Sequence, residues 1–202
     1  MTYDLGKALA ARLGVGFELV EVKTLKELLD AVKAGKVDFT GTNASPARAK
    51  IMDFTSTVLD IELGYLVLTD AGIATMADMD RPGLRVGVSQ GSTSQTTLPT
   101  ILKSAIIVPV ATLKLAAEML GNQNIDVFAT NKSYLLDMSD GIKGSRLVDG
   151  NWGVEHWAVG VPKGREKGLM YLQQFADRAR LDGVVKNAVE RSGVRGIVIP
   201  QI

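Results

Sequence analysis

The chain has 202 residues, of which 46% are hydrophobic and 22% are charged, an ordinary composition for a globular protein. Its 23 basic and 22 acidic side chains nearly cancel, so no surface for nucleic acid or a membrane is indicated. Cysteine is absent, which excludes disulfides and thiolate metal sites, and the single histidine, His156, makes a histidine metal site or a Ser-His triad hard to build. The sequence therefore predicts neither a metal nor a cofactor.

The sequence shows neither a membrane span nor a secretory signal. The most apolar stretch, residues 104–120, contains Pro109, Lys114 and Glu118, whereas a span needs roughly 20 apolar residues. The opening "MTYDLGKALAARLG" is already in helical register and lacks the basic and apolar regions of a signal. We therefore expect the sequence to start inside a fold.

The predicted elements alternate between helices and strands along the whole chain. The predicted helices cover the opening residues up to Leu13, then 25–32, 93–102, 111–120, a stretch from about 132, and 165–191, the last as one or two helices. The predicted strands cover residues 17–22, 36–40, 61–69, 84–88, 105–110, 125–130, 145–148 and 155–161. This order predicts an α/β protein with a mostly parallel sheet.

One pattern occurs twice. "VKAGKVDFTGTN" and "MLGNQNIDVFATN" both combine a helix end, glycine, Val/Ile-Asp, a strand and Thr-Asn, and Asp38 precedes Asn43 by the same distance as Asp126 precedes Asn131. The echo is either chance or the sign of two similar α/β lobes. Ligands in open α/β sheets bind beyond the carboxyl ends of strands, which here are residues 41–43 and 129–131.

The segment "TNASPAR" follows the first of these strand ends. Ser45 is a good helix N-cap and Pro46 a good first helical residue, so a plain capped turn is one interpretation. The other is an anion site, because Gly41 permits close approach to the backbone and Arg48 carries a fork that fits a carboxylate. The residues alone leave both interpretations open.

The segment "VGVSQGSTSQTTL" is the second candidate. A strand ends at Val88, Gly91 permits a tight turn, and Ser92, Thr93 and Ser94 lead into a helix whose first N–H groups favour an anion. A Ser/Thr cap without a ligand is the alternative, and the Gly-Lys-Ser/Thr ending of a phosphate-binding P-loop is absent.

These motifs, in this order, resemble the polar-amino-acid family of extracellular solute-binding proteins, the periplasmic components of ABC importers. The resemblance rests on "YDLGKALAARLG", "LLDAVKAGKVDFTGTNASPARAKIMDFTST", "LRVGVSQGSTS", "IDVFATNKSYLL" and "HWAVGVPKG". It implies a two-lobe, type II periplasmic-binding-protein fold, with a hinge that closes an interlobe cleft on a ligand. It also implies that residues 1–69 and 160–202 form one lobe and residues 70–159 the other, with crossings near 68–72 and 158–163.

The resemblance implies roles for individual residues. Arg48 would grip a ligand carboxylate, Gly41 and Asn43 would contact its amine or carboxylate, and Ser92 and Thr93 would hold the carboxylate from the other lobe. The predicted ligand-binding residues are Gly41, Asn43, Arg48, Ser89, Ser92, Thr93 and Asn131. The implied function is non-catalytic binding of an amino acid or related organic acid in the periplasm, for delivery to the membrane subunits of an ABC importer.

The sequence departs from the family in two places. Many members carry an aspartate, which pairs with the ligand's ammonium, where this chain has Asn131, so ammonium binding is expected to be weaker. The family's opening strand and its following loop are also missing, which leaves an open slot in the first lobe's sheet. A partner chain would fill that slot by strand exchange, so a truncated, strand-swapped dimer with weak or no ligand binding is an alternative.

An enzyme is the remaining alternative, because related cyclohexadienyl dehydratases eliminate water and carbon dioxide from a cyclic acid. Such chemistry needs a positioned general acid. The segment "TNKSYLL" has no carboxylate before Asp137, and Glu155 is better explained as a solvated strand end, so we expect no catalysis. Trp157 is expected to be a buried core residue, and Trp152 to lie at the mouth of the cleft.

Overall fold

Helices and strands alternate in the part of the chain that this computed structural model describes, residues 2–200. The helices are α1 (Thr2–Leu13), α2 (Leu25–Lys33), α3 (Thr93–Ile101), α4 (Leu113–Gly121), α5 (Lys132–Gly141), α6 (Glu166–Leu181) and α7 (Val184–Ser192). The strands are β1 (Thr40–Asn43), β2 (Met52–Phe54), β3 (Leu59–Leu68), β4 (Arg85–Ser89), β5 (Ile106–Val110), β6 (Val127–Asn131), β7 (Ser145–Leu147), β8 (Gly153–Pro162) and β9 (Ile197–Val198). The predicted α/β class is confirmed, and most predicted elements agree to within a few residues.

The strand predicted over residues 17–22 is wrong. This segment is in neither a helix nor a strand, and Leu19, Val20 and Val22 are exposed. Within residues 2–200, no main-chain hydrogen bond joins the segment to a neighbouring strand. An alternating sequence alone does not make a strand, because its amide and carbonyl groups need a partner.

The strand predicted over residues 36–40 begins later than expected. The chain leaves α2 through Gly35, whose φ of +65° suits glycine at a helix end. The next three residues form bends, and pairing starts only at Thr40, which lies opposite Gly160 of β8. The strand then continues to Asn43, so the polar residues predicted to follow it belong to the strand itself.

The chain divides into two compact units. Unit 1 contains the residues up to Asp60 and from Glu155 onward, and unit 2 contains Ile61–Val154. The lobe boundaries expected after residues 69 and 159 lie further along the chain than these two divisions, just past β3 and within β8. None of the helices described here is long and apolar enough to cross a membrane.

Unit 1 is built on the second half of β8. Both β1 and β2 pair with it in antiparallel orientation, from Asn43 opposite Trp157 to Met52 opposite Pro162. Helix α7 packs against both α1 and α6. The buried faces of these three helices consist of Leu5, Gly6, Leu9, Ala10, Leu172, Phe175, Ala176, Ala179, Val185 and Ala188.

Unit 2 contains the parallel strand pairs. Strand β4 pairs in parallel with both β5 and β6, whereas β3 pairs antiparallel with β6 and β7. The expectation of a mostly parallel sheet is therefore replaced by a mixed one. Side chains along β6 point alternately to its two faces. Val127 and Ala129 therefore pack in one apolar cluster and Phe128 in another, so both faces of this strand are buried.

Candidate ligand-binding site

The carboxyl end of β1 brings together three residues of unit 1. Asn43 lies opposite Trp157 of β8, and Gly41 lies opposite Val159. Directly opposed residues of an antiparallel pair point to the same face, so Gly41, Asn43 and Trp157 share one face of this ribbon. Two of the three were predicted to bind ligand.

Asn43 fixes the end of β1 to the neighbouring strand. Its side chain is buried, and its Oδ1 accepts a hydrogen bond of 3.1 Å from the main-chain N–H of His156. The N–H of Ala44 in turn donates to the carbonyl of His156 at 2.8 Å. The strand end is therefore held rigidly before the chain turns toward Arg48.

Arg48 lies in a short 3₁₀ turn, Arg48–Lys50, directly after this strand end. Its main-chain N–H donates to Ser45 Oγ at 3.3 Å, but the turn begins two residues after Pro46, and Ala47 rather than Ser45 occupies its N-cap position. Its guanidinium Nη1 donates to Thr42 Oγ1 at 2.6 Å and to the carbonyl of Asn43 at 3.3 Å. The residue is only 8% exposed, so a positive charge is fixed at the end of β1.

The close approach of Gly41 and Trp157 was not anticipated from the sequence. A Cβ atom at position 41 would lie 1.8 Å from Cζ2 and 2.8 Å from Cε2 of the Trp157 ring. Only glycine leaves room for an indole at this point. Trp157 is buried, as expected, but it covers a predicted site residue, and only the strand register reveals this contact.

In unit 2, β4 leads into α3 through the second predicted site. Gly91 has a φ of +75°, and the N–H of Ser92 donates to the carbonyl of Ser89 at 3.1 Å. Ser92 is the N-cap, because its Oγ accepts from the N–H of Gln95 at 3.3 Å, and Thr93 is the first helical residue. The arrangement joins hydroxyl groups to the positive end of a helix dipole.

Asn131 ends the neighbouring strand, β6. Because Val88 of β4 lies beside Ala129 of β6 in a parallel pair, Ser89 and Asn131 follow at the same edge of the sheet. Asn131 is buried, and its Oδ1 accepts from the N–H of Tyr134 at 3.2 Å, so it caps α5. This capping role of the side-chain oxygen was not predicted.

An ion pair that was not predicted lies next to Asn131. Lys132 Nζ donates to Glu62 Oε2, and Asn151 Nδ2 donates to Glu62 Oε1 at 3.2 Å. The hydrogen bond from Lys132 is the main cause that holds the pKa of Glu62 below its ordinary range. Glu62 is therefore ionised at neutral pH.

The structure thus collects the predicted residues into two groups. Gly41, Asn43 and Arg48 lie at the end of β1 in unit 1, whereas Ser89, Ser92, Thr93 and Asn131 lie at one edge of the sheet in unit 2. A cavity of about 530 Å³ in unit 2, lined by Arg81 and Asp126 among others, includes none of them. Across residues 2–200, no group of three or more His, Asp or Glu side chains could hold a metal ion.

Comparison with known proteins identifies the family. The bacterial extracellular solute-binding proteins, family 3, match residues 1–193 of the chain. The chain belongs to this family. The resemblance noted from the sequence motifs is therefore confirmed, and with it the status of a solute-binding protein.

Individual relatives agree with this assignment. The chain is 27% identical over 171 residues to the amino-acid-binding protein AabA of Dichelobacter nodosus, which covers 81% of this chain and 67% of that protein. An ancestral arginine-binding protein bound to glutamine superposes with a TM-score of 0.83 at 23% identity, covering 94% of this chain and 85% of that one.

A second solved structure bears on the question of catalysis. An ancestral amino-acid-binding protein, described as a precursor of cyclohexadienyl dehydratase, superposes with a TM-score of 0.82 at 25% identity. The match covers 94% of this chain and 83% of that one. These superpositions confirm the type II periplasmic-binding-protein fold.

Proposed function

We propose that this family member binds a small carboxylate-bearing solute, an amino acid or a related organic acid, without converting it, and delivers it to an ABC importer. The observation that carries the proposal is the position of Arg48. Its guanidinium is buried at the end of β1, in the segment that most resembles the family. A planar guanidinium pairs with a carboxylate through two parallel hydrogen bonds, which makes Arg48 the proposed carboxylate anchor.

The other predicted residues have supporting roles in this proposal. Gly41 and Asn43 offer main-chain and amide groups on β1, the strand that leads to the Arg48 turn. Ser92 and Thr93 supply hydroxyl and N–H donors at the start of α3, and Ser89 shapes the turn before them. Asn131 brings an amide and no charge, so the proposal favours a solute whose carboxylate contributes more to binding than its ammonium.

The proposal is of binding without chemistry. An enzyme on this scaffold would need a general acid near the ligand. Glu62 accepts a hydrogen bond from Lys132, the residue directly after β6. Its lowered pKa keeps it ionised and makes it a poor proton donor. The relative that preceded a dehydratase is itself described as an amino-acid-binding protein, which also supports binding as the function.

The proposed location and partners follow from the family. Members are extracellular solute-binding proteins, and we infer a periplasmic location for this chain. The proposed partners are the solute and the membrane subunits of an ABC importer. Several solved relatives are binding components of amino-acid ABC transporters, which supports this role.

The test is a binding series with variants of Arg48. Purified protein is titrated calorimetrically with L-arginine, L-glutamine and glutarate, and its melting temperature is followed in parallel. Arg48→Lys keeps the charge but loses the fork, and Arg48→Gln loses both, so affinity is expected to fall roughly 10-fold or more in each. Arg165→Gln is the matched control, because Arg165 pairs with the exposed Asp38. Unchanged affinity in Arg48→Gln would contradict the proposal.

The strand-swapped dimer is a second candidate, because one observation favours it. Residues 17–22 are in neither a helix nor a strand, are largely exposed, and carry apolar side chains at Leu19, Val20 and Val22, which suits pairing with a strand of another copy. Light scattering on a sizing column, with and without the same solutes, separates the two candidates. A monomer that binds a solute supports the first, and a stable dimer that binds none supports the second.

A further inference from the structure

The indole N–H groups of the two tryptophans differ in whether they have a hydrogen-bond acceptor. Trp152 Nε1 donates to the carbonyl of Gly64 at 3.1 Å. Trp157 is more deeply buried, at 9% exposure, yet its Nε1 has no hydrogen-bond acceptor among the residues described here. Buried tryptophans ordinarily find an acceptor, so this N–H requires an explanation.

The unpaired N–H of Trp157 is not sealed in the core. Among the described residues, Arg180 Nε is the only buried side-chain nitrogen or oxygen that is both shut off from solvent and without a partner. The indole nitrogen therefore retains access from outside the protein. A group that is nearly buried, unpaired and still accessible is placed to donate to a molecule that enters from solvent.

The Trp157 ring also lies next to residues proposed to bind the solute. Its Cε2, the carbon bonded to Nε1, is 2.8 Å from the position of a Cβ on Gly41, and Trp157 shares its face of the ribbon with Asn43. Gly41 and Asn43 are two of the residues proposed to bind solute. The six-membered ring of the indole, through Cζ2 and Cη2, thus covers one proposed site residue, and Cε2, which carries Nε1, borders that contact, while Trp157 lies opposite Asn43 in the strand register.

We infer that Trp157 is a ligand-contacting residue of this site, whose indole N–H donates to an oxygen of the bound carboxylate-bearing solute. The inference rests on the proposed function and extends it to a residue outside the predicted set. It explains together the unpaired N–H, its access to solvent and the glycine at position 41. Packing alone would explain the glycine but would be served equally well by a ring without an N–H.

The experiment uses single-tryptophan variants. Trp152→Phe leaves Trp157 as the only indole, and Trp157→Phe leaves only Trp152. Each variant is titrated with L-arginine, L-glutamine and glutarate by calorimetry and by tryptophan fluorescence. We expect Trp152→Phe to bind like the wild type and to show a shift in Trp157 emission that saturates with the solute.

Trp157→Phe is expected to bind the same solute about 10- to 100-fold more weakly, the range for a lost hydrogen bond to a charged group. If the phenylalanine variant has no melting transition, benzothienylalanine at position 157 replaces it, because this isostere loses only the N–H. Equal affinity with and without the N–H, while the wild type binds, overturns this inference and leaves the proposed function standing. A wild type that binds none of the three solutes contradicts both.

Discussion

The ends of β1 and β6 are two versions of one sequence pattern, and the structure shows what they share. Each strand comes after an aspartate that pairs with an arginine, Asp38 with Arg165 and Asp126 with Arg85. Each ends in a buried asparagine whose Oδ1 accepts a main-chain N–H. The repeated Val/Ile-Asp and Thr-Asn positions therefore mark the two ends of a similar scaffold.

The two strand ends differ in the partner that each asparagine holds and in the element that comes after it. Asn43 reaches across to β8, and the chain then turns and presents the cation of Arg48. Asn131 reaches along its own chain to Tyr134, and α5 begins at the next residue, Lys132. One pattern thus yields a strand end that carries a fixed positive charge and another that carries a capped helix. The scaffold repeats, but the chemical groups at the two strand ends differ.

The largest expected effect concerns the interior of the two strands, where Gly41 corresponds to Ala129. Gly41→Ala would place a methyl group 1.8 Å from the Trp157 ring, so the free energy of unfolding is expected to fall by about 1 to 3 kcal/mol. Ala129→Gly removes a buried methyl group and is expected to cost about 1 kcal/mol. Urea unfolding of both variants measures the comparison.

One result for Gly41→Ala and Ala129→Gly would contradict this account of how β1 and β6 differ. If Gly41→Ala is as stable as the wild type, the Trp157 ring moves aside without cost, and the glycine is not required by packing. In that case the two strand ends differ only in the segments after them, the Arg48 turn and helix α5. A larger loss in Gly41→Ala than in Ala129→Gly would instead show that packing against Trp157 requires the glycine in β1.

The repeated scaffold could be predicted from the sequence because its signals are local. The spacing from Asp38 to Asn43 matches that from Asp126 to Asn131, and Ser92 is a cap residue directly before helix α3. Caps and strand ends depend on neighbours within a few residues, which a sequence displays directly.

The features that the sequence did not reveal depend on distant partners. The contact between Gly41 and Trp157 requires the register of β1 on β8, which joins residues more than 100 positions apart. The segment 17–22 has a strand-like pattern but no partner strand within residues 2–200, so its pattern was misleading.

A smaller effect is expected where the two aspartates start the strands. Asp126 is 27% exposed and accepts from Arg85 N at 2.8 Å, Nε at 3.0 Å and Nη2 at 2.6 Å. Asp126→Asn is therefore expected to lower the free energy of unfolding by about 1 to 2 kcal/mol. Asp38→Asn is expected to change little, because the Asp38 side chain is 87% exposed. Equal losses in the two variants would contradict this ranking.

The loss of stability in Asp126→Asn is also expected to depend on pH. The hydrogen bond from Arg85 is the main cause that holds the pKa of Asp126 below its ordinary value of 3.8. A carboxylate with a lowered pKa stabilises the fold above its unfolded-state pKa and loses that contribution as the pH falls through the folded-state value. The difference in free energy of unfolding between the wild type and Asp126→Asn should be greatest near neutral pH and should decrease below pH 3.8. Urea midpoints measured down to about pH 2.5 would show this decrease. A gap that does not change over this range would mean that the charge of Asp126 is unimportant.

The smallest effect on stability is expected at Asn131. A negative charge added there tests separately the stability of the fold and the recognition of the solute. Asn131→Asp keeps the oxygen that caps α5 and adds negative charge at the helix start, which is expected to stabilise by about 0.3 to 1 kcal/mol. Thr112→Asp makes the same change at the N-cap of α4, which is not a predicted site residue. Both variants should therefore melt slightly higher than the wild type. Only Asn131→Asp should raise the affinity for L-glutamine relative to glutarate, because a carboxylate pairs with the ammonium that glutarate lacks. If calorimetry shows the same ratio of affinities in both variants, Asn131 does not contact the solute, and the end of β6 is scaffold rather than site.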